Sequence, residues 1–340
     1  MLSILVIQTA FIGDAVLATS LLESIHQEYP DARVSMLVRK GNESLFSGHP
    51  FLHEVLTWDK KKNKYAHLIG LIWAIRRKKY DAVINLQRYG ATGLITVLSG
   101  ARKTIGFDKN PFHYFFTRSV KHQMGTESTN MHEIERNHLL LQAFASDSNY
   151  DKKLPAPAMP ALYPGQASDA YTQDWKQLPY ICIAPSSVWF TKQFPLAKWA
   201  ELIGALPADI QVYILGAPSD ALICEQLVTM SQRANCVSLA GKCNFLQSAS
   251  LMRDAIMNYV NDSAPMHFCS SVNAPVTVVY CSTVPAFGYG PLSSNSTIVE
   301  TTEELACRPC GLHGKKSCPL GHFDCANTIR LSQLMASLPA

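Results

Sequence analysis

Apolar runs and amphipathic stretches alternate along this chain from its first residues. Ile4-Leu5-Val6-Ile7 is short, rich in β-branched residues and bounded by polar ones, which predicts a strand buried on both faces. A helix over residues 15–25, continuing to about 28, follows it. Then come a strand over 33–38, a helix around 68–78 and a strand over 82–86. This alternation predicts a parallel sheet with helices on both faces. Residues 154–165, Leu-Pro-Ala-Pro-Ala-Met-Pro-Ala-Leu-Tyr-Pro-Gly, have no periodicity and read as a linker. Beyond it the rhythm restarts, with strands over 180–184, 211–215, 237–239, 257–260 and 276–280. Helices are expected over 196–206, 220–231, 246–255, 265–272 and 329–338. The expected class is therefore α/β, with two Rossmann-like α/β/α domains whose parallel sheets face a cleft.

Composition adds a bias of charge. The 340 residues are 47% hydrophobic and 16% charged, which describes a folded chain with a sizeable core. Net charge is +4, but residues 1–160 hold 20 Lys and Arg against 14 Asp and Glu, and residues 161–340 hold 10 against 12. The basic groups cluster at Lys60, Lys61, Lys62 and Lys64 and again at Arg76, Arg77, Lys78 and Lys79. Two readings stand: solvated faces, or attraction to a phosphorylated glycolipid, an anionic membrane face or a nucleic acid. Residues 1–20 lack a basic leader, Asp14 interrupts their apolar run, and no other stretch is long enough to span a bilayer, so a cytosolic chain is expected. Ten cysteines fit that compartment as reduced thiols. Six are scattered (Cys182, Cys224, Cys236, Cys243, Cys269 and Cys281), and four of these lie in or beside apolar stretches, as small core residues do.

Candidate chemistry lies where strands end. No G-x-G-x-x-G follows any expected strand and no phosphate loop ending G-K-[ST] is present, which argues against a nicotinamide enzyme or a P-loop. In Phe11-Ile12-Gly13-Asp14, Gly13 permits a tight strand-to-helix turn and Asp14 falls at the expected N-cap, as a cap or as a catalytic base. Ser186 and Ser187 follow the strand over 180–184, and Lys192 precedes the next helix. They form either a diphosphate clamp or a turn with a surface lysine. Asn261-Asp262-Ser263-Ala264-Pro265-Met266-His267 opens another helix after a strand, with Asp262 as N-cap or ligand group and His267 as core or catalytic histidine. The tail spacing Cys307-x2-Cys310-x7-Cys318-x6-Cys325, near His313 and His322, leaves structural zinc, redox-dependent pairing and free thiols open.

Taken in order, these segments resemble the ADP-heptose:lipopolysaccharide heptosyltransferases, glycosyltransferase family 9. The resemblance runs through Ile12-Gly13-Asp14-Ala15-Val16-Leu17-Ala18-Thr19, then residues 189–199 (WFTKQFPLAKW), Leu239-Ala240-Gly241-Lys242, residues 262–267 (DSAPMH) and residues 283–291 (TVPAFGYGP). It implies a GT-B architecture, with an acceptor-binding domain over 1–160, a nucleotide-sugar domain over 161–325, and a terminal helix within 326–340 crossing back to the first domain. It further implies that Asp14 is the general base and Lys192 offsets charge on the leaving ADP. Ser186 and Ser187 would then contact phosphates, with help from the helix N-terminus at Ser263 and Ala264. Asp262 would bind donor-sugar hydroxyls, His267 would lie near the diphosphate, and Asp220 would reach the ribose. Lys60 and Lys64, with Arg76–Lys79 beyond them, would meet an anionic glycolipid acceptor at the inner membrane face. No redox cofactor, no catalytic metal and no nucleic acid is expected. Ala264 and Cys281-Ser282-Thr283 stand where the family carries glycines, which keeps a different nucleotide sugar as the alternative donor. A non-catalytic nucleotide-sugar-binding protein is the alternative of another class.

Overall fold

The computed structural model describes residues 1–60, 64–125, 131–146 and 154–339. The chain divides into two compact units, Met1–Tyr163 and Pro164–Ala340. The first is built on β1 (Ser3–Gln8), β2 (Arg33–Arg39), β3 (Leu52–Trp58), β4 (Ala82–Asn85), β5 (Lys103–Phe107) and β6 (Arg118–Val120), in the order β3-β2-β1-β4-β5-β6. The second comprises β7 (Tyr180–Ala184), β8 (Gln211–Ile214), β9 (Cys236–Ser238), β10 (Met257–Asn261), β11 (Val276–Tyr280) and β12 (Ser296–Glu300), in the order β12-β11-β10-β7-β8-β9. All pairings are parallel. Counted within each unit, the two orders are the same Rossmann order, 3-2-1-4-5-6.

Helices on both faces bury the central strands completely, which is why these read as unbroken apolar runs. In the first unit the helix Lys64–Lys78 sets Leu68, Leu71, Ile72 and Ile75 against Leu5, Ile7 and Val83. In the second, Trp199, Leu202 and Ile203 of the helix Leu196–Ala205 cover Ile181, Ile183 and Val212. Four strands carry no such run. β3, β6 and β12 lie at sheet edges and keep His53, Glu54, Arg118 and Ser296 in their half-exposed patterns. β5 is interrupted by Gly106, where a side chain would meet the Phe116 ring at 2.6 Å.

The Pro-rich stretch is not a loose tether. Ala161 N donates to Thr19 Oγ1 (2.9 Å), Ala158 N to Ser24 Oγ (3.0 Å) and Tyr163 Oη to Glu23 Oε1 (2.8 Å), so it packs along the helix Thr19–Glu28 of its own unit. The terminal segment contributes to the core of the second unit. Ile329 and Leu334 are fully buried in that core, and Tyr259 Oη and Lys198 Nζ donate to the carbonyls of Leu334 (3.3 Å) and Ile329 (2.7 Å). Its helix is correspondingly short, Leu331–Met335.

One consequence for stability is measurable. His49 packs edge-on against Phe51 (4.5 Å) and Tyr163 (4.9 Å), and burial, reinforced by His26, pulls its pKa down to about 4. The unfolded chain takes up this proton near pH 6.5 and the folded one does not, so stability present above pH 6.5 is lost as pH falls towards 4. We expect His49→Gln to flatten the acid limb of a Tm-versus-pH profile by about 2 kcal/mol in unfolding free energy at pH 4.5. An unchanged slope would remove His49 from the acid response.

Candidate functional site

In a sheet of this order, the loops leaving its first and fourth strands diverge and leave a crevice at the carboxyl ends. In the second unit those strands are β7 and β10. Asn261, fully buried at the end of β10, ties down both ends of the loop that follows β7. Its Nδ2 donates to Pro185 O (2.6 Å), and its Oδ1 accepts from Phe194 N (2.9 Å). Between these anchors lies the 3-10 turn Phe190–Lys192, and Gln193 Nε2 donates to Ser187 O (2.6 Å). Lys192 is no solvated surface lysine. Its Nζ sits 2.7 Å from Asp262 Oδ2, with the two side chains 15% and 9% exposed. The same carboxylate oxygen accepts from Thr283 Oγ1 at 2.6 Å. An ammonium, a carboxylate and a hydroxyl are thus held together across three neighbouring strand ends.

Asp262 is not the N-cap. Ser263 takes that position and the helix runs Ala264–Ser271, with Pro265 in its first turn and His267 buried further along. Pro265 has no N–H and Met266 N donates to Ser263 O (3.1 Å), which narrows the donors this turn offers an anion to Ser263 and Ala264. Ser186 Oγ is buried with no hydrogen-bond partner among the described residues, a hydroxyl suited to a phosphate oxygen. Asp220 lies beyond β8, where its Oδ2 accepts from Ala217 N (2.9 Å) and so shapes the turn it sits in.

Residues far down the chain fasten this site. Arg308 Nε donates to Cys281 O (2.8 Å), and its Nη2 donates to Thr283 O (2.8 Å) and pairs with Glu300 (2.6 Å). Cys310 N donates to Ser282 O (2.8 Å). Buried Thr191 accepts at Oγ1 from Ser282 Oγ (2.9 Å) and Lys315 N (2.8 Å), while its own N–H donates to Lys315 O (3.1 Å). Gly314, at φ +77, lies so close that a Cβ there would stand 3.0 Å from Lys192 Cγ. The Cys281 thiol, expected at the site, turns into the apolar core beside Cys325 and Val279, and burial pushes it well above its ordinary pKa. Arg308→Met leaves the Cys281 and Thr283 carbonyls without their donor and frees the part-exposed Glu300 carboxylate to water. We expect unfolding free energy to fall by about 2 kcal/mol and donor KM to rise more than kcat falls. Steady-state kinetics with calorimetry would check this, and unchanged KM would reduce Arg308 to a fold residue.

In the first unit the corresponding crevice lies at β1 and β4. The helix after β1 starts earlier than expected, at Ile12, with Phe11 as a cap that makes no side-chain bond. It breaks at Ala18 before resuming over Thr19–Glu28. Asp14 is therefore not an N-cap but the third helical residue, in the first turn, where backbone N–H groups favour a carboxylate. At the same strand ends lie side chains that no local pattern announced. Gln8, Thr9, Asn85 and Gln87 are buried at the strand ends, with Gln87 Nε2 donating to Gln8 Oε1 and Gln87 N to Asn85 Oδ1 (2.9 Å). Lys60 reaches this end too, donating to Thr9 O (2.7 Å) and lying over the Trp58 ring (4.8 Å). Lys61 and Lys62 lie outside the described residues, and Lys64 begins the helix Lys64–Lys78.

The scattered cysteines are core residues, all buried except half-buried Cys243. The tail cysteines do not form the zinc site left open above. Cys325 is turned into the core, Cys310 Sγ donates to Cys307 O (3.3 Å), and among the described residues no three His, Cys, Asp or Glu side chains are grouped to hold a metal ion. Nor, among those residues, is any helix long and apolar enough to cross a membrane.

Comparison with known proteins places these geometries. Lipopolysaccharide heptosyltransferase 3 of Escherichia coli is 27% identical over 296 residues, covering 84% of this chain and 85% of that protein. E. coli ADP-heptose lps heptosyltransferase II superposes with a TM-score of 0.78 at 21% identity, over 99% of this chain and 98% of that one. A family 9 glycosyltransferase from Veillonella parvula superposes at 0.83 with 20% identity, over 98% and 95%. The family model for glycosyltransferase family 9 (heptosyltransferase) matches residues 69–319, and the chain belongs to that family, with its two-domain GT-B fold.

Proposed function

We propose that this enzyme transfers heptose from ADP-heptose to the inner core of lipopolysaccharide by a single inverting displacement. The acceptor hydroxyl oxygen attacks the anomeric carbon opposite the diphosphate. The bond from that carbon to the diphosphate oxygen breaks, its electron pair leaves with ADP, and Asp14 takes the hydroxyl proton. Lys192 offsets the charge growing on the departing diphosphate, a contribution largest in the transition state. Ser186, Ser187 and the Ser263–Ala264 turn hold phosphate oxygens, with His267 close by. Asp262, set by Thr283, aligns Lys192 and meets donor-sugar hydroxyls, and Asp220 meets the ribose. Lys60 and Lys64 attract the anionic acceptor, and Arg76–Lys79 face the inner membrane surface from the cytoplasmic side. Neither a metal nor a redox cofactor has a step in this scheme.

The observation that carries this reading is the Lys192–Asp262–Thr283 cluster at the β7–β10 crevice of a family 9 domain. The inward turn of Cys281 removes one reason to favour another donor, since its thiol does not crowd the phosphate side. The test is acceptor-dependent ADP release from ADP-heptose with a truncated core lipid, with the product identified by mass. Faster turnover of a different nucleotide sugar would replace the donor. Tight donor binding without turnover on any core acceptor would favour a binding protein.

A further inference from the structure

The helix Lys64–Lys78 carries apolar side chains beyond those its core contact uses. Leu68, Leu71, Ile72 and Ile75 fill the core side. Flanking that side, Tyr65, Ile69 and Trp73 are 74%, 58% and 59% exposed, and their spacing of four sets them in one stripe along the helix. The helix contains no acidic residue. Arg76 and Arg77 end it, and Lys79 and the exposed Arg102 continue the basic rim. At that end lies a hollow of about 370 Å³ lined by Arg76, Lys79, Tyr80, Asp81, Gly100 and Arg102. Its single carboxylate, Asp81, is held by Ser3 N and Oγ at 2.9 Å and pairs with Arg102 Nη1 at 3.7 Å, which leaves Arg76 and Lys79 as its excess positive charge. Leu98, 40% exposed, extends the apolar surface beside it, its carbonyl accepting from Arg76 Nη1 (3.2 Å).

We infer that this outer face is a docking surface for an anionic bilayer, with Tyr65, Ile69 and Trp73 entering the headgroup region and the basic end meeting lipid phosphates. An aromatic and aliphatic stripe bordered by cations is the chemistry of helices that lie in a membrane interface. Charge complementarity selects this occupant. A second copy packed stripe to stripe would bring Arg76 and Arg77 against their own counterparts if parallel, or against the end that begins at Lys64 if antiparallel, with no acid on the helix to answer them. A nucleic acid would leave the apolar stripe unanswered. The inference deepens the proposed function and rests on it for the reason the enzyme visits a lipid surface.

The test uses the full chain with vesicles of equimolar phosphatidylcholine and phosphatidylglycerol, compared with phosphatidylcholine alone. The wild type is expected to co-sediment with the anionic vesicles, and the exposed doublet Ile69→Asp/Trp73→Asp to lose about tenfold in affinity. Arg76→Glu/Arg77→Glu should lose a similar factor and its salt dependence. Chain-brominated lipid should quench part of the tryptophan emission of the wild type, and that part should vanish in Trp73→Phe. Transfer to a water-soluble truncated acceptor should be unchanged in the Ile69/Trp73 variants, which also reports that they fold. Wild-type transfer without vesicle binding, or variants that bind as the wild type does, would overturn the docking surface alone. Self-association abolished by the Ile69/Trp73 change, with no vesicle binding, would overturn it in favour of a second copy. Absence of both transfer and vesicle binding would overturn the heptosyltransferase reading with it.

Discussion

Asp14→Asn is expected to leave ADP-heptose binding unchanged and to lower the transfer rate by about a thousandfold, within the range a positioned base contributes. The amide keeps the shape of the carboxylate, so the first turn of Ile12–Leu17 stays intact and the loss falls on kcat. Removing a carboxylate near a helix N-terminus also costs a little stability, on the order of 0.5 kcal/mol, which thermal unfolding separates from the kinetic effect. The deciding pair of measurements is donor affinity by calorimetry and single-turnover rate with saturating acceptor. A variant that keeps a tenth or more of the wild-type rate, about 1.4 kcal/mol of barrier, would assign the base elsewhere.

The second large effect belongs to the Lys192–Asp262 pair. Lys192→Met would remove the charge proposed to offset the leaving group and is expected to lower kcat by about a hundredfold to a thousandfold. Asp262→Asn keeps an acceptor for Thr283 but releases the ammonium from its 2.7 Å partner, and loses somewhat less. Because one side chain positions the other, the double variant should fall little below Lys192→Met alone, a coupling read from a double-mutant cycle. Additive losses would mean that the two groups serve the donor independently.

How much of this was legible along the chain follows from what each residue does. Strands β1, β4, β7, β10 and β11 are covered on both faces and declare themselves as apolar runs, whereas three of the four edge strands, β3, β6 and β12, keep most of their positions partly or fully exposed and do not. Asp14, Lys192 and Asp262 were legible by order and type at strand ends. Their supports were not, since each acts across a long separation. Asn261 meets Phe194 across 67 residues and Thr191 meets Lys315 across 124, and nothing local to an asparagine or a threonine reports that. The cap assigned to Asp14 misplaced the helix start because Phe11, with extended backbone and no side-chain bond, opens the helix three residues earlier.

The fastening by Arg308, Cys310 and Lys315 has a consequence for synthesis. These residues follow the last strand, yet they hold the loops leaving β7 and β11. During translation the second sheet is therefore complete in sequence while the loop carrying Lys192 still lacks its braces. A message truncated just after Glu300 would encode every strand of the described residues but neither the braces nor Cys325, Ala326, Ile329 and Leu334 of the second core. Nonsense changes confined to that last stretch are thus expected to cost the second unit stability and the donor pocket its shape at once, although every strand is encoded.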